Sequence, residues 1–177
     1  MLYRDSWSGR IVTGDTVEYN AATDILKERT GKAVLSNVEL HGFGAQDTKE
    51  AAITFKGART NSSIVTHCSI HNSMGWGVGI KDSNNIEFTN NFIFNTRPFG
   101  FVIDTATNVT IDSNILIKVV GRDVEGGAGT GSMSYRDKEG GFAICSVYDS
   151  DRACINVTTS NNIVANSINA GYWAVGH

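Results

Sequence analysis

Lys81 and Asp104 lie one repeat of this chain apart, and Lys56 falls about one repeat earlier. If the repeats stack, the three side chains share one outward column. Two ammonium groups beside a carboxylate could grip an anionic sugar, with Asp104 as acid or base. Glycoside cleavage usually takes two carboxylates flanking the bond, and Asp82 is the evident second one. Trp76 and Phe99 could stack on sugar rings from the same surface, or could fill the core instead. The plainer reading of the column is an inter-coil ion pair on a solvated face, which contributes little.

Other candidates carry less. His67, Cys68 and His71 have a metal-like spacing, yet neighbours on a strand point to opposite faces and should not share a ligand sphere. No metal site and no cofactor are expected. His41, at the outward loop Gly42 to Glu50, has no partner in the sequence. Gly126-Gly-Ala-Gly-Thr-Gly-Ser lacks the Lys-Ser/Thr and the helix of a phosphate cradle, so it reads as a solvated excursion. No Asp/Glu cluster would hold the calcium of a pectin-type lyase.

The elements that must position these residues follow from a repeat. Cys68, Asn91 and Asn114 recur at one fixed spacing, and Asn162 follows after about twice that length of chain. Asn37, opening Asn-Val-Glu-Leu, reads as an earlier member. Val65, Phe88, Ile111 and Thr159 stand three before the marker; Ile70, Ile93, Leu116 and Val164 stand two after it. A period in the low twenties with β-rich segments means one coil per repeat, stacked into a solenoid. Val78/Phe101 and Ile80/Ile103 make a third wall, and Thr66/Thr89/Asp112/Ser160 an outward polar column. Stacked Asn91 and Asn114 can pass amide hydrogen bonds along the stack, so the column reads as structural.

The expected fold is therefore all-β, a right-handed parallel β-helix of about five coils. Residues 1–32 read as a lead-in segment or incomplete first coil, in which the charged stretch Asp24 to Arg29 could make a helical turn. Residues 33–177 are the repeats, with a loop excursion over 121–140 in coil four. Trp173, on the last return strand, is expected in the core. The two ends of the stack should offer unpaired strands to neighbouring domains or to copies of the chain.

Composition narrows the class. Of 177 residues 19 are Gly and 16 are Asn, and the net charge is −3. That balance argues against a nucleic-acid partner, and no apolar run is long enough for a membrane span. Met1-Leu-Tyr-Arg-Asp is not a secretory signal, so a piece of a larger protein is expected. Asn61, Asn108 and Asn156 head glycosylation sequons. Cys145 and Cys154 could form a disulfide within one irregular segment in an oxidising compartment, leaving Cys68 inside the stack. Three reduced, buried cysteines are the alternative.

Thr30-Gly-Lys-Ala-Val-Leu-Ser-Asn-Val-Glu-Leu, Ile53-Thr-Phe-Lys, Cys68-Ser-Ile-His-Asn-Ser and the close Asn162-Ile-Val-Ala-Asn-Ser with Ala170-Gly-Tyr-Trp resemble a known pattern. It is the parallel β-helix (PbH1-repeat) region of fibrocystin-like, G8-domain cell-surface proteins, relatives of the cell-surface hyaluronidases. The similarity covers about residues 30–177. Those relatives commonly read Ile-His-Phe-His at Ile53-Thr-Phe-Lys56, and Ile-His-Gly at Ile80-Lys81-Asp82. Of an acidic pair, Asp104-Thr105 keeps one carboxylate.

The resemblance implies a large extracellular or ciliary-surface glycoprotein, and the missing imidazoles lean against catalysis. The leading expectation is thus a non-catalytic structural or interaction segment. The alternative is a hyaluronidase-like hydrolase or lyase, or a glycan-binding module for acidic polysaccharide, using Lys56, Lys81, Asp82, Asp104 and Trp76.

Overall fold

Single residues with φ near +55° mark the corners of this chain. Asn37, His67, Asn90, Ser113 and Asn161 form one such column, and Asn72, Asn95, Lys118 and Asn166 a second. Asp82 and Thr105 lie at a third corner, and Asn85, Asn108 and Asn156 at a fourth. Asparagine enters the left-handed region more readily than most side chains, because its short amide can bond locally. The abundance of Asn follows from this corner chemistry. Gly42 (φ 70°) and Gly57 (φ 69°) take the second and third corners of the first coil.

The computed structural model describes residues 9–44, 51–59, 61–120, 140–145, 154–167 and 170–174. Sixteen strands run through them, and no helix occurs among the described residues. They are β1 (Ile11–Thr13), β2 (Thr16–Asn20), β3 (Ile25–Arg29), β4 (Val34–Ser36), β5 (Glu39–His41), β6 (Ala51–Lys56), β7 (Ser63–Thr66) and β8 (Ser69–His71). The rest are β9 (Trp76–Thr89), β10 (Phe92–Thr96), β11 (Phe99–Asp112), β12 (Ile115–Val119), β13 (Gly140–Ile144), β14 (Ile155–Ser160), β15 (Ile163–Ser167) and β16 (Ala170–Ala174).

Parallel pairing makes three faces. The first has the order β1-β6-β9-β11-β13-β16, and the third β5-β8-β10-β12-β15. The second joins β4 to β7, β7 to the later half of β9, that half to β11, and β11 to β14. β9 and β11 run through two corners and so serve two faces each.

The registers match the repeat. Val65 pairs with Phe88 and Phe88 with Ile111 on the second face. Ile70, Ile93, Leu116 and Val164 align on the third. Val78/Phe101 and Ile80/Ile103 align on the first. All but Val164 are at most 1% exposed, and burying each such side chain is favourable by roughly 1.5–3 kcal/mol. Phe88 and Phe101 meet edge to face at 4.9 Å across the core.

Beside this apolar core runs the amide ladder. Asn91 and Asn114 are 2% and 0% exposed. Asn114 Oδ1 accepts from Asn91 N (2.9 Å) and Asn91 Nδ2 (3.0 Å). Asn162 Oδ1 accepts in the same way from Asn114. Buried amides this deep are tolerable because each finds its partners.

Two expectations are corrected. Asn37 is not in the ladder: Ser36 pairs with Thr66 and Glu39 with Ser69, which puts Asn37 level with His67 and Val38 level with Cys68. Asp24 to Arg29 makes no helical turn. Ile25–Arg29 is a strand of an antiparallel hairpin with Thr16–Asn20, closed by Asp24 at φ 54° and tied by an Arg29–Glu18 pair at 2.8 Å. The excursion 121–139 with its Gly-rich run lies outside the described residues, as does the Trp173 side chain.

Candidate functional site

Lys56, Lys81 and Asp104 end the first-face segments of β6, β9 and β11, each one residue before the third corner. Lys56 pairs with Lys81 and Lys81 with Asp104 in register, so the column exists. Lys81 Nζ lies 3.6 Å from Asp104 Oδ2. The expected openness does not hold at Asp104. Its side chain is 7% exposed against 46% for Lys81, so the ion pair is half covered rather than solvated.

Asp82 sits at the corner with φ 48° and has its own cation. Arg59 Nε donates to the Asp82 carbonyl at 3.2 Å, and Arg59 Nη2 lies 3.9 Å from Asp82 Oδ1. The two carboxylates therefore face separate positive groups. Ser83 braces the corner, accepting from Ala58 N (3.1 Å) and donating to the Lys81 carbonyl (2.7 Å).

Trp76 is 6% exposed and Phe99 1%, and their rings meet edge to face at 5.8 Å. With Ala51, Val102 and Ala143 they form a cluster separate from the main core. Val102 and Ala143 alternate with inward Phe101 and Phe142, which places this cluster on the outer side of the first face. A Cβ at Gly79 would lie 3.4 Å from Ala51 Cβ and 3.5 Å from the Trp76 ring. Trp76 is thus packed, not an open platform for a sugar.

The third face holds contacts that the repeat does not reveal. His41 has a partner after all: its ring centroid lies 4.9 Å from that of His71. His71 Nε2 lies 2.7 Å from Glu39 Oε1, and Asn72 Nδ2 3.3 Å from His71 Nδ1. The signal was the longer spacing between the first two coils, hidden by the shorter period of those that follow. Phe92 and Phe94 stack at 6.1 Å, with Lys118 Nζ 5.7 Å from the Phe94 ring. Phe92 and Ile115 are each 38% exposed.

His67, Cys68 and His71 do not converge. His67 Nδ1 bonds Thr66 Oγ1 (2.9 Å), and Cys68 Sγ donates to the Thr66 carbonyl (3.3 Å). Among the described residues no group of three His, Cys, Asp or Glu could hold a metal ion.

Cys145 and Cys154 are bridged, with Cα atoms 5.6 Å apart, and Cys68 is free and buried. Asn61 Nδ2 donates to Thr30 Oγ1 (2.7 Å). Asn108 Nδ2 donates to Asn85 Oδ1 (3.1 Å), and Asn156 Nδ2 to Asn108 Oδ1 (2.9 Å). The last two are exposed, yet the nitrogens a glycan would occupy already serve a second ladder.

In the polar column of the second face, Asp112 accepts three hydrogen bonds. That from Ser160 is foremost, then those from Ser113 and Asn161, and they hold its carboxyl below the usual carboxylate range.

The family model described as a right handed beta helix region matches residues 4–177. The chain belongs to that family. No curated protein and no solved structure matched it.

Proposed function

We propose that this right-handed β-helix, read as a solenoid of about five coils, is a non-catalytic structural and interaction segment. Its setting is a large fibrocystin-like glycoprotein on an extracellular or ciliary surface. One observation carries the reading. Among the described residues of the outer first face, Asp82 and Asp104 are each engaged by a separate cation and the aromatics are packed away, so they do not form the open carboxylate pair of a glycosidase cleft. The bridge between Cys145 and Cys154 suits an oxidising compartment. Partners are neighbouring domains of a larger chain or copies of this one.

A second reading keeps one support. Lys56 is exposed and Lys81 half-exposed, so this edge could hold an acidic polysaccharide such as hyaluronan without turnover. Incubation with a panel of acidic polysaccharides, following polymer size and bound fraction, separates the two. Neither binding nor cleavage is expected. Binding lost in Lys81→Ala would establish a glycan-recognition module. Cleavage lost in Asp104→Asn would replace the proposal with an enzyme.

A further inference from the structure

The bridge between Cys145 and Cys154 stands where the earlier coils turn their third corner. Ile144 pairs with Ile103 and Ile155 with Thr107, and Cys145 N donates to the Ile103 carbonyl at 2.9 Å. Cys145 is therefore level with Asp104, and Cys154 with Ala106. Those two pair in turn with Lys81 and Ser83. A single residue makes this corner in the first three coils: Gly57, Asp82 and Thr105, with φ 69°, 48° and 55°. In the fourth coil Cys145 itself takes the positive φ, at 61°.

The chain takes a different path here. β9 and β11 run unbroken through the corner, whereas β13 and β14 are separate strands. The two cysteines have a sequence separation of 9, yet their Cα atoms are 5.6 Å apart. Two consecutive residues of extended chain reach at most about 7 Å. The sulfur link thus holds a distant pair at the spacing of a residue and its second neighbour. In the second coil the same two positions are joined by a hydrogen bond, from Ser83 Oγ to the Lys81 carbonyl at 2.7 Å. Cys154 packs against the core, in the column where Ala58, Ser83 and Ala106 are buried.

We propose that the Cys145–Cys154 bridge is a redox-opened clasp, which replaces the third corner of the fourth coil and holds β14 in register behind β13. A dithiol opens it by exchange. One thiolate attacks a bridge sulfur and releases a cysteine thiolate; the second then displaces the other cysteine from the mixed disulfide. Two electrons and two protons pass to the cysteines, which end as thiols, and the dithiol ends as a cyclic disulfide. Both cysteines are half-buried, whereas Cys68 is enclosed at 3% exposure.

Opening the clasp lengthens the connection from a separation of 2, as between Lys81 and Ser83, to one of 9. Closing the longer connection costs entropy worth about tenfold in the population of the closed corner. The clasp is independent of what the solenoid binds.

The test follows amide hydrogen exchange of the full chain, oxidised and in dithiothreitol. Val157–Ser160 of β14 should exchange about tenfold faster once the bridge is reduced, and Phe92–Thr96 of β10 should change less. Equal acceleration in both segments, or none in β14, overturns the proposal. A corner graft gives a second measurement. Cys145→Asp and Cys154→Ala, with residues 146–153 replaced by one Thr, repeat the Asp104-Thr105-Ala106 corner in the fourth coil. This variant should melt at or above the oxidised chain and ignore dithiothreitol. A graft that fails to fold, melts below the oxidised chain or responds to dithiothreitol would show that the bridge does not stand in for a corner.

Discussion

The carboxamide oxygen of Asn114 accepts from both the main-chain N–H and the side-chain N–H of Asn91, at 2.9 and 3.0 Å. One buried oxygen thus holds two donors of the preceding coil, while its own amide donates to the Phe88 carbonyl at 2.9 Å. Asn114→Ala removes these three bonds and a fourth, from its amide to Asn162 Oδ1 at 3.0 Å, at a site with 0% exposure. The expected loss is about 3 kcal/mol, since the orphaned donors keep their desolvation penalty. Urea unfolding measures it; a loss below about 1 kcal/mol would mean that water replaces the amide.

Asp112 gives a pH dependence with a definite sign. Its folded pKa is depressed by Ser160, Ser113 and Asn161, so the unfolded chain binds the proton more readily. The contribution is fully present above the unfolded value of about 4 and is lost as pH falls through the lower folded value. Stability curves between about pH 2 and 6 should flatten in Asp112→Ala. An unchanged slope would assign the acid sensitivity to other carboxylates.

Glycines on the first face separate tight from loose approach. A Cβ at Gly100 would lie 2.8 Å from the Gly141 carbonyl oxygen and 2.7 Å from Leu116 Cδ2, whereas one at Gly171 meets nothing nearer than 3.6 Å. Gly100→Ala is expected to destabilise by about 1–3 kcal/mol, and Gly171→Ala to be close to neutral. Thermal melts of the two variants should differ accordingly.

The bridge between Cys145 and Cys154 closes a sequence separation of 9. Replacing both with Ser should lower stability by roughly 2–3 kcal/mol on the chain-entropy account. In the native protein a thiol reagent should find Cys68 alone, and slowly, because it is 3% exposed. Rapid labelling of a second thiol would contradict the bridge.

The stacking period, and with it the inward columns at Val65, Ile70 and Val78, was legible in the sequence because every coil reuses them. Asn37 was misplaced because the first two coils are offset by more than the repeat of the later ones, so the period did not fix its register. The hairpin strand Ile25–Arg29 is exposed on both sides and carries no alternation to separate it from a helical turn. At the site, register predicted that Lys56, Lys81 and Asp104 align, but not that Asp104 is covered. Neighbouring Phe101 and Val102 are both buried, at 0% and 1% exposure, because there is packing on each side of the first face, a tertiary fact that alternation cannot reveal.

The corners have a consequence for how such a chain can change length. Phe88 meets Ile111 across one repeat, and Ile111 meets Thr159 across about twice that length of chain, with the same strand register. Doubling the contour between neighbouring rungs adds only about 0.6 kcal/mol of closure entropy. Register is therefore blind to what is spliced in past Val119, and the stack tolerates new sequence there while its rungs stay aligned. That makes this corner, like the connection between β13 and β14, a place where one solenoid can acquire a new surface without relearning how to fold.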